Sequence, residues 1–297
     1  MLTILKYILY AILLIAVLDF IAIYFVAPYF ILKPVKINGE ITPKNFHLTF
    51  QTLNIEVEPN LNLKGYWTHS KTDRVKGIII FAHGIGGCKE SYIGVASKLA
   101  QKGIESILVD SRAHGESEGK FCTYGFYEQA DISKIIDFIQ LKQPDIPVGI
   151  WGSSMGGAIS LLALAKDKRL QFGLIQSTFT DLHQIVFDYK KRILRGFGSQ
   201  TMVNMVLKRA GEIANFNPNE VKPIEAVKHI EQPIIIAHGD ADKNISYQYG
   251  QQLFDNLKSV DKEFYLVKNG GHVGLWDTGG KAFEDKMIGF IERQLSK

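Results

Sequence analysis

Gly152-Ser153-Ser154-Met155-Gly156, followed by Gly157-Ala158, is the stretch on which the reading of this chain turns. Its pattern is G-x-S-x-G. A serine in such a pentapeptide sits on a sharp turn between a strand and a helix, its hydroxyl lifted above the sheet, and only glycine leaves room around it. The flanks agree: Val148 to Trp151 is an apolar strand pattern and Ala158 to Ala165 a helical one. Ser154 is therefore the candidate nucleophile. Ser153, its neighbour, falls at the wrong position of the motif.

Working outward, six short apolar runs alternate with helical patterns: Gly77 to Ala82, Ser106 to Asp110, Pro147 to Trp151, Phe172 to Ile175, Pro233 to Ala237 and Glu263 to Val267. Such alternation predicts an α/β fold with a mostly parallel central sheet and helices on both faces. Ile132, Ile135, Ile136 and Ile139 make one apolar helix stripe, and Phe283, Met287 and Phe290 another; both read as core. Before the first run, Phe46 to Phe50, Leu53 to Val57 and Leu61 to Thr68 read as an antiparallel meander. The interval 181–227 is too long for a simple connection and predicts a small inserted helical lid. It carries a basic cluster (Lys190, Lys191, Arg192, Arg195) and the apolar group Met202, Val203, Met205, Val206 and Leu207.

A nucleophilic serine needs a base, and the base an orienting carboxylate, in the chain order Ser, acid, His. His272, in Asn269-Gly270-Gly271-His272 just past the last strand run, is the candidate base. The acid should follow the preceding strand, which ends in Ala237-His238-Gly239-Asp240-Ala241-Asp242. Asp240 and Asp242 both fit, and either could instead close a turn through its own backbone. The tetrahedral oxyanion requires two donors: the backbone N–H of Met155, directly after the serine, and one from the loop His83-Gly84-Ile85-Gly86-Gly87, where Ile85 is the choice.

These marks together resemble the α/β-hydrolase superfamily, from about residue 78 to the C-terminus. Within it, the chain looks like the branch of serine aminopeptidase-like and monoacylglycerol lipase-like hydrolases. The likeness rests on the HG-x-G-G loop at His83, on Asp110-Ser111-Arg112-Ala113-His114-Gly115-Glu116-Ser117, on the Gly152 to Gly156 turn, on His238-Gly239-x-x-Asp242 and on Gly271-His272. The resemblance implies a Ser154, Asp242, His272 triad, because the acid of an HG-x-x-D segment is its last residue. Ala113 departs from the branch, which usually has glycine there. The implied activity is cleavage of a carboxylic ester, a lipid or lysolipid among the candidates, through an acyl-enzyme; a thioesterase or an aminopeptidase-like amidase is the alternative. A non-enzymatic binding member of the fold normally lacks a triad residue.

The N-terminus has a different character. From Tyr7 to Leu32 the only charge is Asp19, and Lys6 and Lys33 bracket the run. An aspartate near the bilayer centre costs about 3 kcal/mol, but sixteen Ile, Leu, Val and Phe residues outweigh it. The core is too long for a cleaved signal peptide, and no polar face marks a soluble helix. Residues 1–36 are thus expected to form a single-pass membrane anchor, spanning at 7–32, and residues 37–297 the hydrolase domain.

Composition limits the remainder. Net charge is +4, without a block of five like charges, which gives no footprint for nucleic acid. Cys88 and Cys122 are too few for a disulfide scaffold or a four-cysteine zinc site, though each follows a strand run and the two could pair. His83, His114 and His238 lack metal-ligand spacing and read as hydrogen-bonding loop residues. Glu128 and Asp131, at a predicted helix start, read as partners of the helix dipole. Neither nucleotide-binding glycine motif is present, so neither cofactor nor metal is expected.

Overall fold

The computed structural model describes residues 2–196 and 198–297; Met1 of the expected anchor and Phe197 of the expected lid lie outside it. Eight strands form one sheet in the order β1-β2-β4-β3-β5-β6-β7-β8. Strands β3 (Gly77–Ala82), β4 (Ile104–Val109), β5 (Val148–Ser153), β6 (Leu170–Gln176), β7 (Ile234–Gly239) and β8 (Lys262–Val267) run parallel and correspond to the six apolar runs. Successive side chains point to opposite faces, and both faces are covered, which is why these strands are apolar throughout. Ile78 and Ile80 pack with the stripe of α4 (Glu128–Lys142) and with α5 (Met155–Lys166), whereas Ile79 and Phe81 face α3 (Ile93–Ala100) and α10 (Leu275–Gln294).

The expected meander is a single antiparallel hairpin, β1 (Phe50–Glu58) and β2 (Leu61–Thr68), added to the edge through β4. Residues 46–49 are not a strand. Pro43 begins a 3₁₀ turn that Thr42 and Asn45 cap mutually, and His47 reverses the chain at φ 50°. That local hydrogen bonding wins over the apolar alternation.

Interval 181–227 is helical: α6 (Leu182–Ile193), α7 (Gln200–Ala214) and the short α8 (Pro223–Ala226). Asp181 and Ser199 cap the first two by accepting the backbone N–H groups of Gln184 and Met202, and Asn215 ends α7 in the left-handed conformation.

Thr3 to Leu32 form one long apolar helix, whose most apolar window buries nothing against the rest of the chain. It is not uniform. Helix α1 (Leu2–Ile21) passes through a π turn at Ala22–Val26 into α2 (Ala27–Leu32). Pro28 explains the change: it has no N–H to donate, and its ring collides with the carbonyl one α-turn back. The wider turn absorbs both, and Ala27 N–H donates to Ala22 O instead. Beyond the π turn the helix joins the globular body. Leu32 is fully buried with Leu182, Val203 and Leu207; its carbonyl accepts the Cys122 N–H at 2.9 Å, and Ile31 O accepts the Tyr124 hydroxyl at 3.0 Å.

Candidate active site

Ser154 stands between the last residue of β5 and the first of α5, at φ 55° and ψ −119°, a conformation that costs a non-glycine residue about 1–3 kcal/mol. The surroundings enforce it. Ser154 N–H donates to Gln176 O at 2.8 Å, and its carbonyl accepts the Thr178 hydroxyl at 2.7 Å. A β-carbon on Gly156 would lie 1.9 Å from Ala82 O, and one on Gly152 2.1 Å from Gly156 O, so both glycines of the motif are required by space.

His272 lies in the loop between β8 and α10. Its Nε2 is 3.1 Å from Ser154 Oγ and its Nδ1 2.8 Å from Asp242 Oδ2. The carboxylate on one side assigns the proton to Nδ1, which leaves the Nε2 lone pair facing the serine hydroxyl. Asp242 follows β7, and its carboxylate is wholly buried. Burial alone would raise its pKa, but hydrogen bonds from His238, His272 and the Ile245 N–H outweigh that and hold it well below the usual carboxylate range. Its Oδ1 accepts the N–H groups of Asn244 and Ile245 at 2.8 and 2.9 Å. Asp240 is exposed and turned away; it accepts the Asn269 N–H at 2.6 Å and so ties the two loops together.

The 83–87 loop runs directly beside the serine, where a β-carbon on Gly84 would meet that of Ser154 at 3.2 Å. Gly87 N–H closes a turn onto Gly84 O at 3.0 Å, with Ile85 and Gly86 at its centre and Gly86 at φ 67°, where glycine is favoured. Met155 opens α5, so its N–H belongs to the first turn, which has no acceptor within the helix.

Two buried groups fix this loop. His83 donates from Nδ1 to Gly84 O at 2.8 Å and accepts the Ser111 N–H on Nε2 at 3.0 Å. Burial, with His114 beside it, pushes its pKa down to about 3, so the ring stays neutral. Lys89 Nζ lies within 3.1 Å of Asp110, Glu116 and Glu90, clamping the loop to the segment after β4. The same segment explains its own motif: Arg112 makes two bonds to Asp131, Ser117 Oγ donates to Asp110 O, and a β-carbon on Gly115 would strike Asp110. Ala113 sits at φ 62°, a position that glycine would occupy without strain.

Several readings gain detail in this setting. Glu128 and Asp131 do lie in the first turn of α4 and are also buried partners, Asp131 of Arg112 and Glu128 of the Thr123 N–H and hydroxyl and the Gly125 N–H. Cys88 and Cys122 are separate free thiols, Cys122 packing 3.3 Å from Met155 Sδ. His238, read as a hydrogen-bonding loop residue, does hydrogen-bond but lies in β7 itself: it donates to Ile245 O at 2.9 Å and stands 3.3 Å from Asp242. Thr178, the positioner of Ser154, was not legible in the sequence at all.

Two cavities meet at Ser154. One, about 620 Å³, is lined almost wholly by apolar side chains, among them Phe179, Ile185, Val203 and Val206. Met202 joins this wall, whereas Met205 points to solvent and Leu207 into the core. The other, about 550 Å³, is more polar and opens past His272, Gln176 and Asn244. Among the described residues, Lys190 is the only lysine, arginine, aspartate or glutamate lining either, and its ammonium is engaged by Gly198 O.

This sheet, carrying a serine on a strained turn after β5 with a histidine after β8, defines an α/β-hydrolase. The family described as "Serine aminopeptidase, S33" matches residues 73–222, half of the chain, and the protein belongs to that family. The Bacillus subtilis protein YqkD is 26% identical over 216 residues, covering 71% of this chain and 69% of that protein. Monoglyceride lipase of Mus musculus is 26% identical over 245 residues, 70% of this chain and 78% of the lipase. Among solved structures, the Pyrococcus furiosus esterase Pf2001 has a TM-score of 0.74 at 21% identity, over 89% of this chain and 98% of the esterase, a likeness of fold.

Proposed function

We propose that the protein is a membrane-anchored serine hydrolase that cleaves a carboxylic ester with an apolar acyl chain. The observation that carries the proposal is the hydrogen-bonded series Ser154, His272, Asp242 at the point where an apolar and a polar cavity meet. Ser154 Oγ attacks the acyl carbonyl while His272 Nε2 takes its proton; Asp242 supports the imidazolium. The N–H groups of Met155 and Ile85 hold the oxyanion. His272 then returns the proton to the leaving alcohol, which departs through the polar cleft, and water releases the acyl group by the reverse sequence. The acyl chain occupies the apolar cavity throughout.

An aminopeptidase-like activity is the competing reading, given the family's name. A peptide's terminal ammonium needs a carboxylate, and no aspartate or glutamate lines either cavity among the described residues. Monoglyceride lipase, by its name a lipase, favours the ester.

Residues 2–21 are proposed as the membrane span in place of 7–32, because Pro28 and Leu32 are buried against the globular body. Twenty residues of helix rise about 30 Å, the thickness of the hydrocarbon core. Asp19 then falls in the last turn of the span, where a charge costs far less than at the centre.

A fluorophosphonate probe should label the full-length protein at Ser154, and Ser154→Ala should abolish labelling and lower kcat by about 10⁵–10⁶. Inactivation by Ser153→Ala with a mild Ser154→Ala would move the nucleophile.

A further inference from the structure

The apolar cavity is not closed by the globular body alone. Ala27, Phe30 and Ile31 of α2, the continuation of the membrane-directed helix, form part of its wall, together with Val203 and Val206 of the adjoining α7. The helix is fastened there: Leu32 is buried, the carbonyls of Ile31 and Leu32 are bonded to Tyr124 and Cys122, and Arg209 of α7 stacks on Tyr24. Phe30 lines the cavity yet is 80% exposed, as are Ile193 at 71% and Leu194 at 43%. Large apolar side chains that line a cavity and are also exposed mark its mouth. This rim lies against the same helix that leads into α1, whose large apolar side chains from Ile4 to Ile21 are exposed. An apolar rim of this kind is costly in water and favourable against lipid.

We propose that the end of the anchor helix is part of the substrate site. Ala27, Phe30 and Ile31 form one side of the acyl-binding cavity, and the acyl chain of a bilayer-resident ester reaches Ser154 along α2, between Phe30 and the Ile193-Leu194 end of α6, without crossing water. The inference rests on the ester reading of the preceding subsection and adds the anchor as a specificity element. The π turn at Ala22–Val26 has a role in this arrangement: it sets α2 against α7 while α1 continues outward.

The test uses the full-length protein in lipid nanodiscs and a p-nitrophenyl ester series from acetate to decanoate. Ala27→Trp and Ile31→Trp place an indole in the cavity, Phe30→Asp puts a charge at its mouth, and Leu13→Trp on α1 is the control. Each methylene excluded from an apolar pocket costs about fourfold, so displacing two should lower the decanoate-to-acetate ratio of kcat/KM about fifteenfold in either tryptophan variant. Phe30→Asp should lower the same ratio by about tenfold or more, and Leu13→Trp should match the wild type. If the wild-type rate climbs with chain length and the variants follow the same curve, α2 is no part of the site and the inference fails alone. A flat wild-type curve overturns the apolar-acyl reading and the inference together. If the wild type cleaves no member of the series any faster than Ser154→Ala does, the serine hydrolase reading fails instead.

Discussion

At the scale of single residues, position near Ser154 is governed by crowding and by hydrogen-bond supply. Gly152 and Gly156 are glycines because backbone oxygens occupy the space a β-carbon would need, a constraint stated by the pentapeptide itself. The two aspartates after β7 differ in a way their sequence does not state. Asp242 is buried, with both oxygens saturated by donors and one of them His272 Nδ1, while Asp240 is solvent-exposed and serves a turn. On the proposed mechanism Asp242→Asn should leave the fold intact and reduce turnover by about 10⁴, because the histidine tautomer is no longer enforced. Asp240→Asn should cost little more than the lost turn contact. Steady-state kinetics of the two variants decide the matter, and the reverse ranking would remove Asp242 from the proposed triad.

At the scale of elements, the N-terminal helix does two jobs along its length. Its apolar composition fits a membrane span, but the anchor range 1–36 drawn from charge and hydropathy also takes in a segment packed on the globular body, since Leu32 is fully buried and Pro28 is buried in α2. The proline that breaks the α-helical hydrogen bonding was the available signal for a change of role near residue 27. The full chain should remain in the membrane fraction through a carbonate wash. A chain starting at Ala22 should be released yet keep its melting temperature, whereas one starting at Lys36 should lose about 2–5 kcal/mol, the cost of emptying a leucine site in a core. Release of the full chain by salt alone would argue against the span, and equal melting temperatures for the two truncations would show that α2 contributes nothing to the fold.

At the scale of the whole molecule, the buried neutral histidines tie stability to pH. His83 is held at about 3, well below the ordinary imidazole value of about 6.5 found in the unfolded chain. Between those values the unfolded state takes up a proton that the folded state refuses. This contribution to stability is therefore complete above about pH 6.5 and falls as the pH drops toward 3, by about 1.4 kcal/mol per unit. Asp242, whose pKa is depressed, acts lower down: its contribution is present above about pH 4 and is lost below it. Urea midpoints measured from pH 7 to pH 4 should decline in the wild type and decline less in His83→Gln, which can still bond Gly84 O and the Ser111 N–H. Parallel declines would mean that His83 does not carry the linkage.

The order of strands and helices, the glycine-bounded serine and the set of candidate partners were all legible in the sequence, because periodicity, glycine and motif spacing are properties of neighbours along the chain. The choice of side chains brought within 3.1 Å of one another around Ser154, from residues 118 and 30 positions apart, required the parallel sheet to bring the ends of β5, β7 and β8 to one edge. So did the roles of Thr178 and His238, and the meeting of α2 with α7 along one cavity. Local pattern specifies which elements form; only their packing, which trades apolar area and buried hydrogen bonds across the whole chain, decides which surfaces come to share a site.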